Sequence, residues 1–490
     1  MRVSRRCVAN PLARRSVLAT ALMGTLASAL VAPLVARPLY AQDGSQDKTL
    51  PVTPAEYQYG QMLYGAGILS PVNGQNQLFP VDSVDAAVVA QTKRWIAELQ
   101  SRPRKGIQLD PMGQLYVSVG ADDIAKQQFA ERLATPGLSL PDKAYTLVTA
   151  VETFAGVDDA KRVPTALEYM KQLDALPASM ITFQFRGHIA LAYAYYYLEE
   201  QANAIEHFRK AFALVPAMPF ERRMMVYMQT PFVPYADLLI DQPHGRATID
   251  SLGRVLTALA IPSPDLVAKD STYYWYGASW SQMFADAVHL TSHLGLDAPP
   301  VIGTFWFNTT APNTPLPDPL AKEAGIPNAR AKMLNDGKVR VIQFCTMNTP
   351  GCIAGVAGLG RLAQAVPAAE PWFSTSSEGN WGATPMEADA EAGHLKHFYV
   401  ERKKVTIPIA LWGGPKDRKP WGGMVPRDNP GVTVYPMGGV MYALVDSKGV
   451  VRHIMRGYSK QTERVIQSRL RQLTSTASNT SNAGTVAMTR

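Results

Sequence analysis

The chain has little cysteine, with three residues among 490. Cys7 lies in a basic, apolar N-terminal segment, so only Cys345 and Cys352 remain in the rest of the chain. A protein stabilised by a framework of disulfides needs many more cysteines than this, and that class is excluded. The remaining pair is therefore either functional or incidental.

Positive charge is also sparse once the N-terminus is set aside. The formal net charge is +8, and five of these charges come from arginines in the first fifteen residues, which contain no acidic side chain: Arg2, Arg5, Arg6, Arg14 and Arg15. The remaining balance of about +3 is too small to indicate nucleic-acid binding. The sequence also has no stripe of lysine and arginine with interleaved aromatic residues. We expect no nucleic-acid partner.

Long apolar runs are confined to the N-terminus. Residues 1–41 combine a basic start, the apolar stretch Ser16–Ala36 and a cleavage site at Leu39-Tyr-Ala41, the pattern of an export signal peptide. Arg14-Arg15 also fits a twin-arginine signal. We predict a periplasmic or otherwise exported protein. The alternative is an uncleaved anchor, which would be the one contact with a membrane that the sequence indicates.

Sustained strand alternation is absent between residues 51 and 296, where helical periodicity dominates. Within Gly187–Pro216, Leu191, Tyr195 and Leu198 form an apolar stripe at helical spacing. This spacing resembles one unit of a tetratricopeptide repeat, two antiparallel helices that must stack on neighbours. The resemblance implies a protein or peptide partner on the helical repeats. Generic antiparallel helix packing is the alternative.

The pattern changes at residue 297 to proline-rich connectors and short strands. The predicted order is a strand at 338–345, a helix from Pro350, a strand at 371–376, a polar helix at 387–401, a strand near 405–412, a hairpin around 446–449 and a terminal amphipathic helix. Val301–Phe307 is predicted as a preceding strand. This order predicts an α/β domain at 297–473. A Ser/Thr/Asn-rich tail at 474–490 is expected to be disordered.

The candidate catalytic residues lie at the start of the helix that follows the strand at 338–345. Thr349 suits an N-cap, and Pro350 suits the first helical position because its missing N–H would have no partner there. Cys352 then falls in the first turn. Unpaired N–H groups and the positive end of the helix dipole favour the thiolate, so this position predicts a nucleophile.

Asn348-Thr-Pro-Gly-Cys352 resembles the peroxidatic motif of the bacterioferritin-comigratory branch of peroxiredoxins. That resemblance implies that Cys352 attacks a peroxide which Thr349 helps to hold. Counted from Phe344, the same segment resembles the strand and turn of TlpA-type thiol–disulfide oxidoreductases, where Thr349 stands in place of the attacking cysteine. Both families have a thioredoxin-like fold. They therefore imply that the α/β domain is a thioredoxin-like redoxin that follows a tetratricopeptide-like domain at 51–296.

The hairpin Ala443–Val451 resembles one shared by both families. Val440 occupies the position where the oxidoreductases carry a cis-proline and the peroxiredoxins carry an arginine that stabilises the thiolate. This departure argues against full activity. Four arginines could replace the missing charge: Arg340, Arg361, Arg452 and Arg456.

Two functional hypotheses remain open from the sequence. In the first, an exported thiol enzyme reduces a peroxide or a protein disulfide through Cys352 and is regenerated by a thiol reductant. Cys345 is then the internal candidate for a second thiol, and the sequence leaves open whether it lies within pairing distance. In the second, a catalytically degenerate redoxin acts as a protein-binding module. A weaker third hypothesis is a Cu(I) chaperone that uses Cys345, Cys352 and Met347. We predict no cofactor and no metal site.

Overall fold

The strand predicted at 338–345 lies in the centre of a six-stranded sheet in a computed structural model of the chain. The structure describes 69–72, 75–78, scattered positions between 93 and 117, 120–156, 160–225, 228–310, 312, 330–345, 350–376, 380–381, 384–412 and 440–487. The predicted signal peptide at 1–41 and Thr349 lie outside these residues.

The strands belong to one large sheet and three small ones. They are β1 Leu69–Val72, β2 Gln75–Leu78, β3 Val301–Gly303, β4 Phe305–Phe307, β5 Arg330–Lys332, β6 Val339–Phe344, β7 Ala369–Ser376, β8 Asn380–Trp381, β9 Thr384–Pro385, β10 Ile409–Trp412, β11 Met441–Val445 and β12 Val451–Arg456. The large sheet has the order β12-β11-β6-β7-β10-β4. β7 runs parallel to β6 and β10, whereas β11 is antiparallel to β6 and β12. This mixed sheet confirms the predicted α/β class for the C-terminal half.

Helices pack against the sheet and make up most of the described residues between 120 and 292. They are α1 Asp122–Leu133, α2 Leu140–Ala155, α3 Val163–Asp174, α4 Ile181–Tyr197, α5 Gln201–Leu214, α6 Phe220–Met225, α7 Gln229–Leu239, α8 Gly245–Leu259, α9 Pro264–Lys269, α10 Thr272–Ser292, α11 Pro350–Ala365, α12 Ala388–Leu395 and α13 Lys460–Ala487. A π-helix at Lys396–Arg402 continues α12. Among the helices of the described residues, none combines the length and apolar character needed to cross a bilayer.

The central strand β6 is buried along its whole length, as a strand covered on both faces of a sheet should be. Its one charged residue, Arg340, is therefore paired internally. Arg340 is fully buried and donates to Glu370 at 2.8 Å and to Asp336 at 2.7 Å. Burial of such a charge is tolerated only because it is paired and hydrogen-bonded. These ion pairs lie at the start of β6, and the cysteines lie at its end.

The predicted helical hairpin corresponds to α4 and α5, which pack against each other. Leu191 and Ala204 are fully buried between the helices. Gly187 brings α3 close to α4, because a β-carbon at this position would lie 2.6 Å from the sulfur of Met170. Upstream of the hairpin, α2 and α3 form a second pair of packed helices. Assignment of this half to the tetratricopeptide family stays a prediction.

The change of pattern at residue 297 predicts a boundary that few contacts cross, and the hydrogen bonds of the structure contradict this prediction. The main chain of Gly295 and Leu296 hydrogen-bonds to Val451 at 2.8 and 2.9 Å. Further in, the carboxylate of Asp237 on α7 accepts from the backbone N–H of Ile454 in β12 at 2.8 Å. The two halves therefore share hydrogen-bonded, buried structure. The domain boundary itself stays a prediction.

Two local predictions differ from the structure. Val301–Phe307 is divided into β3 and β4, because β3 pairs with β5 whereas β4 joins the edge of the large sheet beside β10. The last helix, α13, continues to Ala487 and so includes most of the predicted disordered tail at 474–490. Its apolar side chains are concentrated before Thr474, where Ile466 and Leu470 are buried.

Candidate functional site

The two cysteines that follow the signal segment form a disulfide. Cys345 comes directly after β6, and Cys352 is the third residue of α11. Their α-carbons are 5.6 Å apart, within the usual range of about 4.4–6.8 Å for a disulfide. This settles the question that the sequence left open, because the two predicted site residues do pair. Both are fully buried.

Helix α11 places Cys352 where the sequence predicted, in the first turn after Pro350. The backbone N–H groups of this turn have no partner within the helix, and they favour negative charge nearby. The residues between Cys345 and Pro350 lie outside the described ranges. The N-cap and peroxide-holding roles of Thr349, and a role for Met347, therefore stay predictions.

Gln343 is the polar side chain closest to the disulfide among the described contacts, and the sequence analysis missed it. Its Nε2 lies 3.0 Å from the sulfur of Cys345 and 3.8 Å from the sulfur of Cys352. The same nitrogen donates to the backbone carbonyl of Cys352 at 3.1 Å. One carboxamide thus connects both ends of the disulfide. The sequence signal that could have identified Gln343 is a polar residue inside a strand that is buried on both faces.

A second missed contact fixes the backbone of Cys345. The hydroxyl of Thr375, on the neighbouring strand β7, donates to the carbonyl oxygen of Cys345 at 2.8 Å. Thr375 is fully buried. This hydrogen bond therefore extends the contact between β6 and β7 by one residue beyond Phe344, the last paired residue of β6.

Gly355, one turn after Cys352, leaves space for two buried polar groups. A β-carbon at Gly355 would lie 2.6 Å from the hydroxyl oxygen of Tyr442 and 2.7 Å from Oε1 of Gln343. Within the described part of the chain, neither oxygen has a hydrogen-bond partner. Burial raises the pKa of Tyr442 well above its ordinary value, so its hydroxyl stays protonated and can donate a hydrogen bond.

Val440 lies beside the start of α11, as the family resemblance implied. One of its methyl carbons is 3.3 Å from the place where a β-carbon of Gly351 would be. Val440 is buried, and the described residues contain no cis peptide bond. An apolar side chain therefore lies beside the start of α11.

The four arginines proposed as replacements have other partners. Arg340 pairs with Asp336 and Glu370, Arg361 with Glu463, and Arg452 with Asp446. Arg456 is the one that lies at the same end of the sheet as the cysteines. It pairs with Met441 in β11, and Met441 pairs with Phe344 in β6. Its guanidinium, however, lies among side chains of the helical half, including Tyr193. In the described part of the chain, no hydrogen bond joins these arginines to the disulfide.

The copper hypothesis finds no support in the described residues. No group of three or more histidine, cysteine, aspartate or glutamate side chains there could hold a metal ion. In this structure the sulfurs of Cys345 and Cys352 are bonded to each other, and the third proposed copper ligand, Met347, lies outside the described ranges.

No protein-family model matches the chain, and no curated protein matches it. Among solved structures, it is similar to a candidate thiol:disulfide interchange protein, DsbE, from Chlorobium tepidum, with 13% identity, 29% of this chain and 82% of that chain covered, and a TM-score of 0.21. It is also similar to StoA from Bacillus subtilis, with 12% sequence identity and a TM-score of 0.20. That similarity covers 29% of this chain and 92% of StoA. Similarity at this level does not decide the fold or the activity.

Proposed function

We propose that the chain is an exported thiol–disulfide oxidoreductase with a thioredoxin-like C-terminal domain and a Cys345–Cys352 redox pair. The observation that carries this proposal is the position of the disulfide, which joins the end of the central strand to the first turn of the following helix. The strand and helix order around it is the one that the resemblance to redoxins implies. Export would place the pair in a compartment where disulfides persist.

In this proposal Cys352 is the attacking sulfur. The reduced Cys352 thiolate attacks a substrate disulfide, forms a mixed disulfide and releases one substrate thiolate. Cys345 then attacks the Cys352 sulfur, which forms the internal disulfide and releases the second substrate thiol. Two electrons pass to the substrate, and a thiol reductant must return two electrons to the pair.

A peroxide substrate would lead to the same disulfide. The Cys352 thiolate attacks the peroxide, an alcohol or water leaves, and Cys352 becomes a sulfenic acid. Cys345 then condenses with it and releases water. Thr349 would hold the peroxide in this version. Cys345 is thus the second thiol in both reactions.

The alternative is a binding module in which the disulfide is structural. The complete burial of both cysteines and the apolar Val440 beside the helix start favour this alternative. Its partner would be a protein or peptide bound by the helical half. An enzyme could use the same surface to select its protein substrate.

The test compares the full chain with Cys352→Ser and Cys345→Ser in single-turnover reactions with a peroxide and with a small disulfide. We expect Cys352→Ser to abolish both reactions. Cys345→Ser should keep the first step and accumulate a sulfenic acid or a mixed disulfide on Cys352, detected by mass spectrometry. A reduced parent protein that reacts with neither substrate would support the binding module.

A further inference from the structure

We propose that Gln343 is a catalytic residue that stabilises negative charge on the sulfur of Cys345 each time the disulfide opens or closes. This inference rests on the proposed function, because it assigns a role within the same thiol–disulfide exchange. Gln343 is fully buried, and its Nε2 is closer to the sulfur of Cys345, at 3.0 Å, than to the sulfur of Cys352, at 3.8 Å.

The orientation of the carboxamide follows from its partners. The carbonyl oxygen of Cys352 only accepts hydrogen bonds, so the group 3.1 Å away from it must be the NH₂ end of Gln343. Oε1 then faces the space beside Gly355, where the Tyr442 hydroxyl also lies. The surroundings therefore direct an N–H donor, and not an acceptor, at the sulfurs.

The two sulfurs then have different sources of stabilisation. Cys352 lies at the helix N-terminus, which favours its thiolate. Cys345 precedes the helix, and its sulfur receives the closer contact from the N–H of Gln343. A hydrogen bond to a charged acceptor is stronger than one to a neutral acceptor, so the Gln343 contact strengthens when Cys345 becomes a thiolate.

This division predicts the direction of each step. When an external thiolate attacks the sulfur of Cys352, the S–S bond breaks and its electron pair goes to Cys345, beside the Gln343 N–H. In the reverse step the Cys345 thiolate attacks Cys352 in the mixed disulfide, and the external thiolate leaves. Gln343 thus favours Cys345 as leaving group and as resolving thiolate, whereas Cys352 exchanges with the outside.

The experiment measures thiolate formation in single-cysteine forms of the full chain by ultraviolet absorbance against pH. In Cys352→Ser protein, Gln343→Met should lower the thiolate fraction of Cys345 by about tenfold at a pH below its pKa. In Cys345→Ser protein, the same change should alter the Cys352 thiolate fraction much less. In the two-cysteine protein, Gln343→Met should shift the equilibrium toward the disulfide by about tenfold, or about 30 mV.

Thr375→Val is the matched control, because it removes a buried hydrogen bond to the Cys345 carbonyl without touching a sulfur. It should leave both thiolate fractions unchanged. If Gln343→Met does not fold, mapping the mixed disulfide formed by limiting glutathione on the oxidised parent provides the test, with Cys352 as the expected site. Equal effects on both cysteines, or a mixed disulfide on Cys345, would overturn the role of Gln343 and leave the proposed function intact. An oxidised parent that does not react with glutathione would contradict the proposed function itself.

Discussion

Arg469, near the middle of the terminal helix α13, forms an ion pair with the fully buried carboxylate of Asp237 on α7. The two residues are 232 positions apart in the chain. The guanidinium also lies 5.1 Å from the ring centre of Tyr196. Because Asp237 also accepts the backbone N–H of Ile454, one carboxylate holds the helical half against both a strand and a helix of the α/β half.

Asp237→Ala should therefore destabilise the protein strongly. Removing one partner of a buried pair leaves the other charge unpaired, which costs about 3–5 kcal/mol. Denaturant unfolding of the full chain measures this loss. Arg361→Met is the control, since that pair with Glu463 is half exposed and should contribute less than about 1 kcal/mol. Similar losses in both variants would contradict the importance of the Asp237 contact.

Acidification should weaken the same contact. Burial alone would raise the pKa of Asp237, but Arg469 and His453 outweigh it and hold this pKa below its ordinary value of 3.8. The contribution of Asp237 to stability is therefore present above that ordinary value and is lost as the pH falls below it.

Acidification should also reduce the free energy of unfolding through His207, at a higher pH than through Asp237. Its ring lies 3.1 Å from His188, nitrogen to nitrogen, and burial together with His188 and Lys210 lowers the pKa of His207 from 6.5 to about 4, despite the opposing charges of Glu206 and Asp174. The unfolded chain takes up a proton below about pH 6.5, whereas the folded chain keeps His207 neutral until about pH 4. Lowering the pH through this window therefore favours unfolding, by at most about 3 kcal/mol.

The free energy of unfolding measured against pH checks this expectation. His207→Gln should flatten the profile between about pH 6.5 and about pH 4, because the titrating ring is gone. An unaltered profile in His207→Gln would show that this histidine does not titrate differently on folding.

Gly355→Ala tests the packing of α11 against the groups beside the disulfide. The added β-carbon would approach the Tyr442 hydroxyl and Gln343 Oε1 to less than 3 Å, so these groups or the helix must move. We expect a loss of about 1–3 kcal/mol in unfolding free energy and slower thiol–disulfide exchange. Gly360→Ala is the control on the same helix, because its β-carbon would meet nothing within 4 Å. It should be stabilising by about 0.5–1 kcal/mol. Equal behaviour of the two variants would contradict the described packing.

Thr349 distinguishes the two substrate classes. If its hydroxyl holds a peroxide, Thr349→Val should slow the reaction with peroxide and Thr349→Ser should largely preserve it. Because Val also removes a helix cap, at a cost of about 0.5–2 kcal/mol, thermal stability has to be measured beside the rate. Thr349→Cys would instead create a Cys-Pro-Gly-Cys segment, and new disulfide exchange in that variant would favour the oxidoreductase reading. Unchanged peroxide and disulfide rates in all three variants would exclude a role for Thr349.

Local sequence patterns predicted the framework of the site well. The apolar run of β6 and the proline that starts α11 were sufficient to place Cys352 in a first helical turn. The turn at Asp446–Gly449 was sufficient to place the final hairpin. These features depend on residues close together in the chain, so their physical causes can be read from a short segment.

The remaining features depend on contacts between distant segments. Gln343 differs from a surface glutamine only because α11 folds back over the strand and brings the Cys352 carbonyl to its side chain. Similarly, the buried state of Asp237 requires Arg469, which no periodicity in α7 indicates. The contacts between the two halves were missed for this reason.

The central claim is that Cys345–Cys352 is a redox-active pair within a folded protein. Its most direct test is equilibration of the full chain, without denaturant, in buffers of graded reduced to oxidised glutathione. The disulfide fraction is measured by thiol trapping and mass spectrometry, and the tertiary structure by near-ultraviolet circular dichroism. We expect a reversible two-electron transition, with the protein folded in both states. A disulfide that opens only when the protein unfolds would contradict the account and identify the bond as structural.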